Sequence, residues 1–169
     1  MRDLDYGSIP GLFIRPFRAW SLDASEIAAI AADCHPTRTA RQEWWWHALP
    51  TLVAVAAIHE RPPWKAIGYT QFSLAPGMIF FYDLAVSPAY QRRGVASLLM
   101  RARLRVGRAW GATHALGMTP PSNVAMRALA AKWKFLEGHL IEGHYTDQDP
   151  VEDGIPLIAT EETWRMLDE

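Results

Sequence analysis

The sequence predicts a mixed α/β (α+β) domain, and three observations predict it. Ile79 to Val86 is an apolar run with β-branched and aromatic members, it breaks at Ser87-Pro88, and helical periodicity follows from Val95. That is strand, turn and helix in direct succession. Before it lie strand-like runs at Thr51–His59 and Lys65–Leu74, separated by the turn Arg61-Pro62-Pro63. After it, strand and helix patterns alternate. A chain of 169 residues can bury a core as one domain, residues 1–169.

The elements follow in order. Leu12 to Phe17 reads as a first strand, with Pro16 marking an edge position or a bulge. Ser21 is a candidate N-cap for a helix carrying Ile27, Ile30 and Ala31, with Asp23 and Glu26 near its first turn. Pro36 ends it between Asp33 and Pro36. Thr37 to Leu49 reads as a second helix bearing Trp44, Trp45 and Trp46. Three consecutive tryptophans cannot share one helix face, so at least one points away from the core. Thr51–His59, Lys65–Leu74 and the strand from Met78 form an antiparallel meander, although Phe72 is out of phase with Ile67 and Tyr69. Ala75-Pro76-Gly77 is the turn between the last two.

Val95, Leu98, Leu99, Ala102, Val106 and Trp110 give the next helix its apolar stripe. Arg101, Arg103, Arg105 and Arg108 fall elsewhere on the wheel, and Gly111 is the residue past its end. Thr113–Met118 is a short strand. Ser122 caps a helix over Asn123–Trp133. Phe135–Tyr145 reads as one strand with gaps at Gly138 and Gly143. Thr146–Gly154 is a polar, acidic loop, Ile155–Ala159 a last strand, and Glu161–Leu167 a terminal helical turn.

Composition narrows the class. The apolar fraction is 50%, the charged fraction 21% and the formal net charge -1, so no global charge drives binding to nucleic acid. Cys34 stands alone, which excludes an internal disulfide framework and fits a reducing compartment. No apolar run reaches the roughly 20 residues that span a bilayer. Met1–Pro10 is polar with acidic residues, unlike a secretory signal, so a cytoplasmic protein is expected. The six histidines lack ligand spacing with cysteines or carboxylates, so no metal site is expected.

The organising stretch is Phe80 to Met100. A helix start presents backbone N–H groups without intrahelical partners, and the macrodipole favours an anion there. Gly94 lets a ligand approach the backbone, and Arg92 and Arg93 add positive charge. These residues make a phosphate cradle fed by a strand.

Gln91-Arg92-Arg93-Gly94-Val95-Ala96 resembles the Q/R-x-x-G-x-G/A signature of the GNAT superfamily of N-acetyltransferases, which bind acetyl-coenzyme A. Asp83-Leu84-Ala85-Val86-Ser87-Pro88 is similar to that family's fourth strand and its exit. The resemblance covers nearly the whole chain. It implies a mixed, mostly antiparallel central sheet flanked by helices, with strands four and five splayed by a bulge. It also implies that acetyl-CoA is the cosubstrate. Leu84, Ala85 and Val86 would hold pantetheine through their backbone, as an added strand would be held. Gln91, Arg92, Arg93, Gly94, Val95 and Ala96 would hold the pyrophosphate. Asn123 matches the family's cofactor-contacting asparagine, or serves only as a helix cap.

The implied reaction is direct acetyl transfer to a primary amine, on a small molecule or on a peptide or protein. Such an amine, with a pKa of about 10.4, is only roughly one part in a thousand free base at pH 7. Asp83 is one candidate base, though a strand carboxylate also pairs with arginine. His139 and His144, with Glu137 and Glu142, are others on strand six. The N–H of Val86 is placed to meet the tetrahedral oxyanion. Family members commonly carry a tyrosine seven residues after the helix-opening Asn and a Gly-Phe pair beyond it. Here those positions are Ala130 and Lys134-Phe135. Tyr145, Tyr82 or water would have to replace that acid. A thiol pKa near about 8.5 also lets the thiolate leave unaided.

The acceptor side of this family corresponds to His35–Trp46 and Gly143–Pro156. An aromatic wall with Asp147, Asp149, Glu152 and Asp153 nearby suits a cationic amine, and it equally describes core packing beside a solvated acidic loop. Exposed tryptophans suggest a homodimer. The other classes of function are a catalytically silent acyl-CoA-binding or regulatory domain, and nucleic-acid binding through the helix arginines, which the neutral charge disfavours. Neither nucleic acid nor membrane is expected as a partner.

Overall fold

A computed structural model describes residues 12–16, 23–34, 52–58, 65–145 and 150–168. The chain opens with β1 (Leu12–Pro16), α1 (Asp23–Cys34), β2 (Leu52–Ile58), β3 (Lys65–Ala75) and β4 (Met78–Val86). A single 3₁₀ turn, Pro88–Tyr90, leads to α2 (Val95–Ala109) and β5 (His114–Thr119). Then come α3 (Val124–Lys132), β6 (Phe135–Glu137), β7 (Ile141–Tyr145), β8 (Glu152–Ala159) and α4 (Glu161–Arg165). The expected helix at Thr37–Leu49, its three tryptophans and the Ser21 cap lie outside the described residues.

The strands join in the order β1-β2-β3-β4-β5-β8-β6, and β7 pairs with β8 beside that path. β1 with β2, β2 with β3, and β8 with each of β5, β6 and β7 are antiparallel, while β4 runs parallel to β5. The sheet is thus mixed and mostly antiparallel, as the resemblance implied. β1 is an edge strand, which explains why Pro16 is tolerated at its end.

Two compact units divide the described elements. The first holds β1, α1, β2, β3 through Phe72, β4 from Asp83, and α2 through Arg103. In it, Ile27 and Ile30 of α1 pack on Ala66 and Tyr69 of β3 and Ala85 of β4. Leu99 of α2 lies against Gly68, the neighbour of Tyr69. Adjacent strand residues face opposite ways, so β3 is covered on both faces. That is why Phe72, out of phase, is still buried. β3 also carries one extra residue, Ile67, between the partners of Ala56 and Ala57, a β-bulge.

The second unit holds the β3–β4 turn with its flanking residues, the end of α2, and everything from β5 onward. β8 is its hub. The expected strand Phe135–Tyr145 is two strands, β6 and β7, both paired to β8 and separated by 138–140. The ladder fails at the next pair: the Gly138 N–H still donates to the Pro156 carbonyl at 2.8 Å, but Pro156 has no N–H to return the bond, and a Cβ on Gly138 would press on the Pro156 ring at 3.2 Å. β8 starts at Glu152, inside the stretch expected to be loop, since pairing with β7 recruits it.

Two local expectations are corrected. The cap of α3 is Asn123, not Ser122: its Oδ1 accepts the Met126 N–H at 3.0 Å, while the Ser122 hydroxyl donates to Glu152. The apolar stripe of α2 is rotated. Val95, Leu99 and Ala102 are buried, but so are Met100, Leu104 and Arg103, whereas Trp110 is 73% exposed. At 100° per residue, Arg103 lies near the middle of the buried arc, opposite to the solvated role expected of it. Gly111 ends α2 as expected. Its N–H bonds the Arg108 carbonyl, and the Ala112 N–H bonds Gly107, the paired bonds of a Schellman motif.

Candidate active site at the end of strand four

β4 alternates a buried and a more exposed side, with Ile79, Phe81, Asp83 and Ala85 inward. Asp83 is therefore a carboxylate on a core-facing position, 8% exposed. Burying a charge is costly unless it is paired and hydrogen-bonded. Here Tyr69 donates its hydroxyl to Asp83 Oδ2 at 2.7 Å, and the Leu84 N–H donates to Asp83 Oδ1 at 2.8 Å. The Asp83 backbone carbonyl accepts the Thr70 hydroxyl at 3.0 Å. Arg103 Nη1 donates to the same Thr70 oxygen at 3.3 Å, and Nε and Nη2 lie 3.2 and 3.0 Å from Met100 Sδ. Burial pushes the Arg103 guanidinium down to about 9, and the Asp83 charge opposes that fall. It remains a cation at neutral pH.

This cluster sits where β4 leaves its neighbour. The register with β5 runs from Met78↔His114 to Phe81↔Gly117 and stops, although β4 continues to Val86 and β5 to Thr119. Strands four and five are splayed in that sense. The backbone of Asp83 and Leu84 is met by the side chains of Thr70 and Asp83 just beyond the last paired residue.

The exit of the strand is fastened. The Val86 carbonyl accepts Gln91 Nε2 at 3.0 Å and the Cys34 thiol at 3.3 Å. The Ser87 N–H donates to Ile67 of the β3 bulge at 2.9 Å. Burial pushes the half-buried Cys34 thiol above its ordinary pKa. The chain turns through Pro88–Tyr90, with the Tyr90 N–H on the Ser87 carbonyl at 2.8 Å. Arg92 and Gly94 then take positive φ, 62° and 86°. Among the described residues, and apart from its two chain neighbours, no atom lies within 4 Å of the point where a Gly94 Cβ would sit. Gln91, Arg92, Arg93 and Gly94 are exposed, and Val95 is buried, anchoring the first turn of α2. Arg93 and Lys65 each lie against the Tyr90 ring, 5.7 and 5.9 Å from its centroid. Open space above a glycine, a helix start and flanking cations fit a pyrophosphate.

The first unit thus brings together Asp83, Leu84, Ala85, Val86 and the Gln91–Ala96 loop. Asn123 and Tyr145 belong to the second. The Asn123 Oδ1 is occupied in capping, which leaves its amide hydrogens out of that bond. Tyr145 closes β7, half-buried, with its ring edge-on to His144 at 4.7 Å. β8 stands between β7 and β5. His139 and His144 are exposed, and Glu137 is held by Arg127 through two bonds of 2.9 and 3.0 Å, which keeps its carboxyl below the usual range. Ala130 is buried. Lys134 takes φ 59°, the left-handed conformation for which the family's glycine is suited. At the end of β5 the Thr119 hydroxyl is buried, with no hydrogen-bond partner among the described residues.

Sequence reasoning missed Tyr69, Thr70 and Arg103. The available signal was Arg103 flanked by Ala102 and Leu104 and four residues after Leu99, which puts it inside an apolar arc once that arc is drawn wider. Among the described residues, no helix is long and apolar enough to cross a membrane.

A sequence profile of the acetyltransferase (GNAT) family matches residues 15–135. The fold is similar to the ribosomal-protein-S18-alanine N-acetyltransferase of Escherichia coli, with a TM-score of 0.72 and 19% identity over 88% of this chain and 92% of that one. It is also similar to Arabidopsis thaliana NAA60 in complex with a bisubstrate analogue, with a TM-score of 0.71 and 16% identity over 88% and 98% of the two chains. A Bacillus subtilis acetyltransferase in complex with CoA gives 0.69 and 13% identity over 88% and 97%. No curated protein sequence matches. At these identities the structures speak for the fold, and the profile, which covers well over half of the chain, speaks for membership: this chain belongs to the acetyltransferase (GNAT) family of acyltransferases.

Proposed function

We propose that this protein transfers an acetyl group from acetyl-CoA directly to a primary amine, acting as one domain in the cytoplasm. The observation that carries the reading is the end of β4, where a strand freed from β5 runs into the open Gly94 loop and the start of α2. Acetyl-CoA supplies a thioester whose acyl carbon is open to attack. Leu84, Ala85 and Val86 bind its pantetheine arm through backbone groups, and Gln91 to Ala96 bind the pyrophosphate, with Arg92 and Arg93 adding charge. Asn123 enters the reading by its match to the family's cofactor-contacting asparagine, and its amide hydrogens lie outside the capping bond. The Val86 N–H stabilises the developing oxyanion. For Asp83, two accepted hydrogen bonds and a neighbouring arginine favour holding the strand over accepting a proton. His139 and His144, both exposed, are the other candidates for the base.

The acceptor is an amine of a small molecule or of a peptide. The peptide side draws support from the fold neighbour named for a ribosomal protein's alanine. A homodimer remains part of the proposal, motivated by the tryptophans.

Two measurements test it together. A ligand at about 100 times its dissociation constant adds roughly 2.7 kcal/mol. For a chain of this size that is on the order of 5–10 °C in Tm. Acetyl-CoA should produce this shift, and a panel of small amines and peptide N-termini should release free coenzyme thiol. No shift at millimolar acetyl-CoA would defeat the reading. A shift without thiol release on any amine would favour a catalytically silent acyl-CoA-binding domain, for which buried Ala130 in the tyrosine position is the motive.

A further inference from the structure

We propose that the buried set Arg103, Asp83, Thr70 and Tyr69 is a positioning device for the acetyl-CoA site, fixing the backbone of β4 at the point where it parts from β5. The inference rests on the acetyl-CoA reading above and adds Tyr69, Thr70 and Arg103 to it.

A strand leaving its partner must find other partners for its backbone. β4 does so with side chains. The Leu84 N–H carries one proton, and it is aimed at Asp83 Oδ1. Toward β3, the neighbour that β4 keeps, the Asp83 carbonyl takes the Thr70 hydroxyl. Both bonds fall within three residues of Phe81, the last residue in register with β5. Each is secured from behind. Tyr69 fixes the second carboxylate oxygen, and Arg103 reaches the Thr70 oxygen from α2.

Arg103 supplies what an apolar residue cannot. It is 1% exposed, and its charge faces a carboxylate that is itself 8% exposed. Buried charges held in such a hydrogen-bonded set are weak evidence for stability and better evidence for a specified geometry. Here the geometry is that of the peptide entering Leu84, the first residue of the pantetheine-binding segment. A shift there re-aims every backbone group as far as Val86. These residues touch no reacting atom. They act through β4.

The test compares two ligands. The pyrophosphate belongs to the Gln91–Ala96 loop, whereas pantetheine belongs to Leu84–Val86. Acetyl-CoA carries both parts, and 3′-phospho-ADP carries only the first. Thr70→Val keeps the shape and removes the hydroxyl. Asp83→Asn keeps the shape and removes the charge. In both variants the dissociation constant for acetyl-CoA, by titration calorimetry, should rise about tenfold, as expected for one lost polar contact. That for 3′-phospho-ADP should stay within about twofold. Arg103→Met should repeat the pattern, and Arg103→Lys should recover part of the loss. A set that merely stabilises the fold predicts a lower Tm with both affinities equal to wild type once folded, and that result would overturn the proposal. So would an equal weakening of both ligands. If Arg103→Met does not fold, the isosteric Thr70→Val decides alone. A wild-type protein that binds neither ligand defeats the function itself, and is thereby told apart from a failure of the positioning set.

Discussion

Lys134 shows what one residue can be asked to bear. It follows the C-cap of α3, and its φ of 59° places an L side chain in a conformation that costs roughly 1–2 kcal/mol. Its ammonium lies 3.7 Å from Glu162, an exposed pair worth at most about 1 kcal/mol. Its carbonyl does more, accepting the hydroxyls of Thr160 and Thr163 and so joining α3 to the cap of α4. Glycine would keep that carbonyl and remove the strain. Lys134→Gly should therefore raise stability by about 0.5–1 kcal/mol after its own entropy cost is counted. Urea denaturation measures this, and a loss of stability would show that the Glu162 pair outweighs the backbone. The position was legible in sequence as a departure from the family's Gly-Phe pair. Its backbone consequence was not, because a residue name does not carry a dihedral angle.

At the scale of elements, β3 and β4 are pressed together by a missing side chain. A Cβ on Gly68 would stand 2.9 Å from the Ala85 carbonyl and 3.3 Å from both Leu99 and Val86 side-chain atoms. Gly68→Ala must move β4, since a backbone carbonyl cannot swing aside as a long side chain does. Overpacking of this kind costs about 1–3 kcal/mol. We expect that loss in denaturation, together with weaker acetyl-CoA binding, because Ala85 lies in the pantetheine segment. Unchanged affinity would mean that this stretch of β4 does not meet the ligand. The strands and the helix after the signature were legible from apolar runs and turn residues. The rotation of α2 was not. A stripe drawn through Val95, Leu99, Val106 and Trp110 assumes that arginine belongs outside, and the buried Arg103 breaks the assumption that fixed its phase. The split of Phe135–Tyr145 into two strands was equally hidden, since it depends on the far partner β8.

For the molecule as a whole, the strand order bears on how the thiolate departs. Tyr145 lies on β7, which pairs with β8, and β8 in turn pairs with β5. A hydroxyl on β7 is thus separated from the splayed edge of β5 by a full strand. This favours departure without a dedicated acid, which a thiol pKa of about 8.5 permits. Tyr145→Phe should lower the transfer rate by less than the roughly 100-fold that a positioned acid contributes. The loss should be similar from pH 7 to pH 9. A fall of about a thousandfold at pH 7 that shrinks toward pH 9, with acetyl-CoA affinity intact, would restore the tyrosine as the acid. The cofactor loop could be found in the sequence because its residues are contiguous. The positioning set could not, because Tyr69, Thr70, Asp83 and Arg103 come from three separate elements and meet only in the fold.

The Val86 carbonyl has a consequence for the energetics of capture. Cys34 and Gln91 both donate to it, and the N–H of the same peptide group, on Ser87, donates to Ile67. Donors on the oxygen polarise a peptide and strengthen what its N–H gives, so the three bonds reinforce one another. They moor the root of the Gly94 loop to α1 and to the β3 bulge before any ligand arrives. Ordering a free loop around a ligand subtracts from affinity, and a loop already moored has less freedom to lose. Much of the entropy of gripping a pyrophosphate has then been surrendered in folding, and the anion meets a mould that is already set.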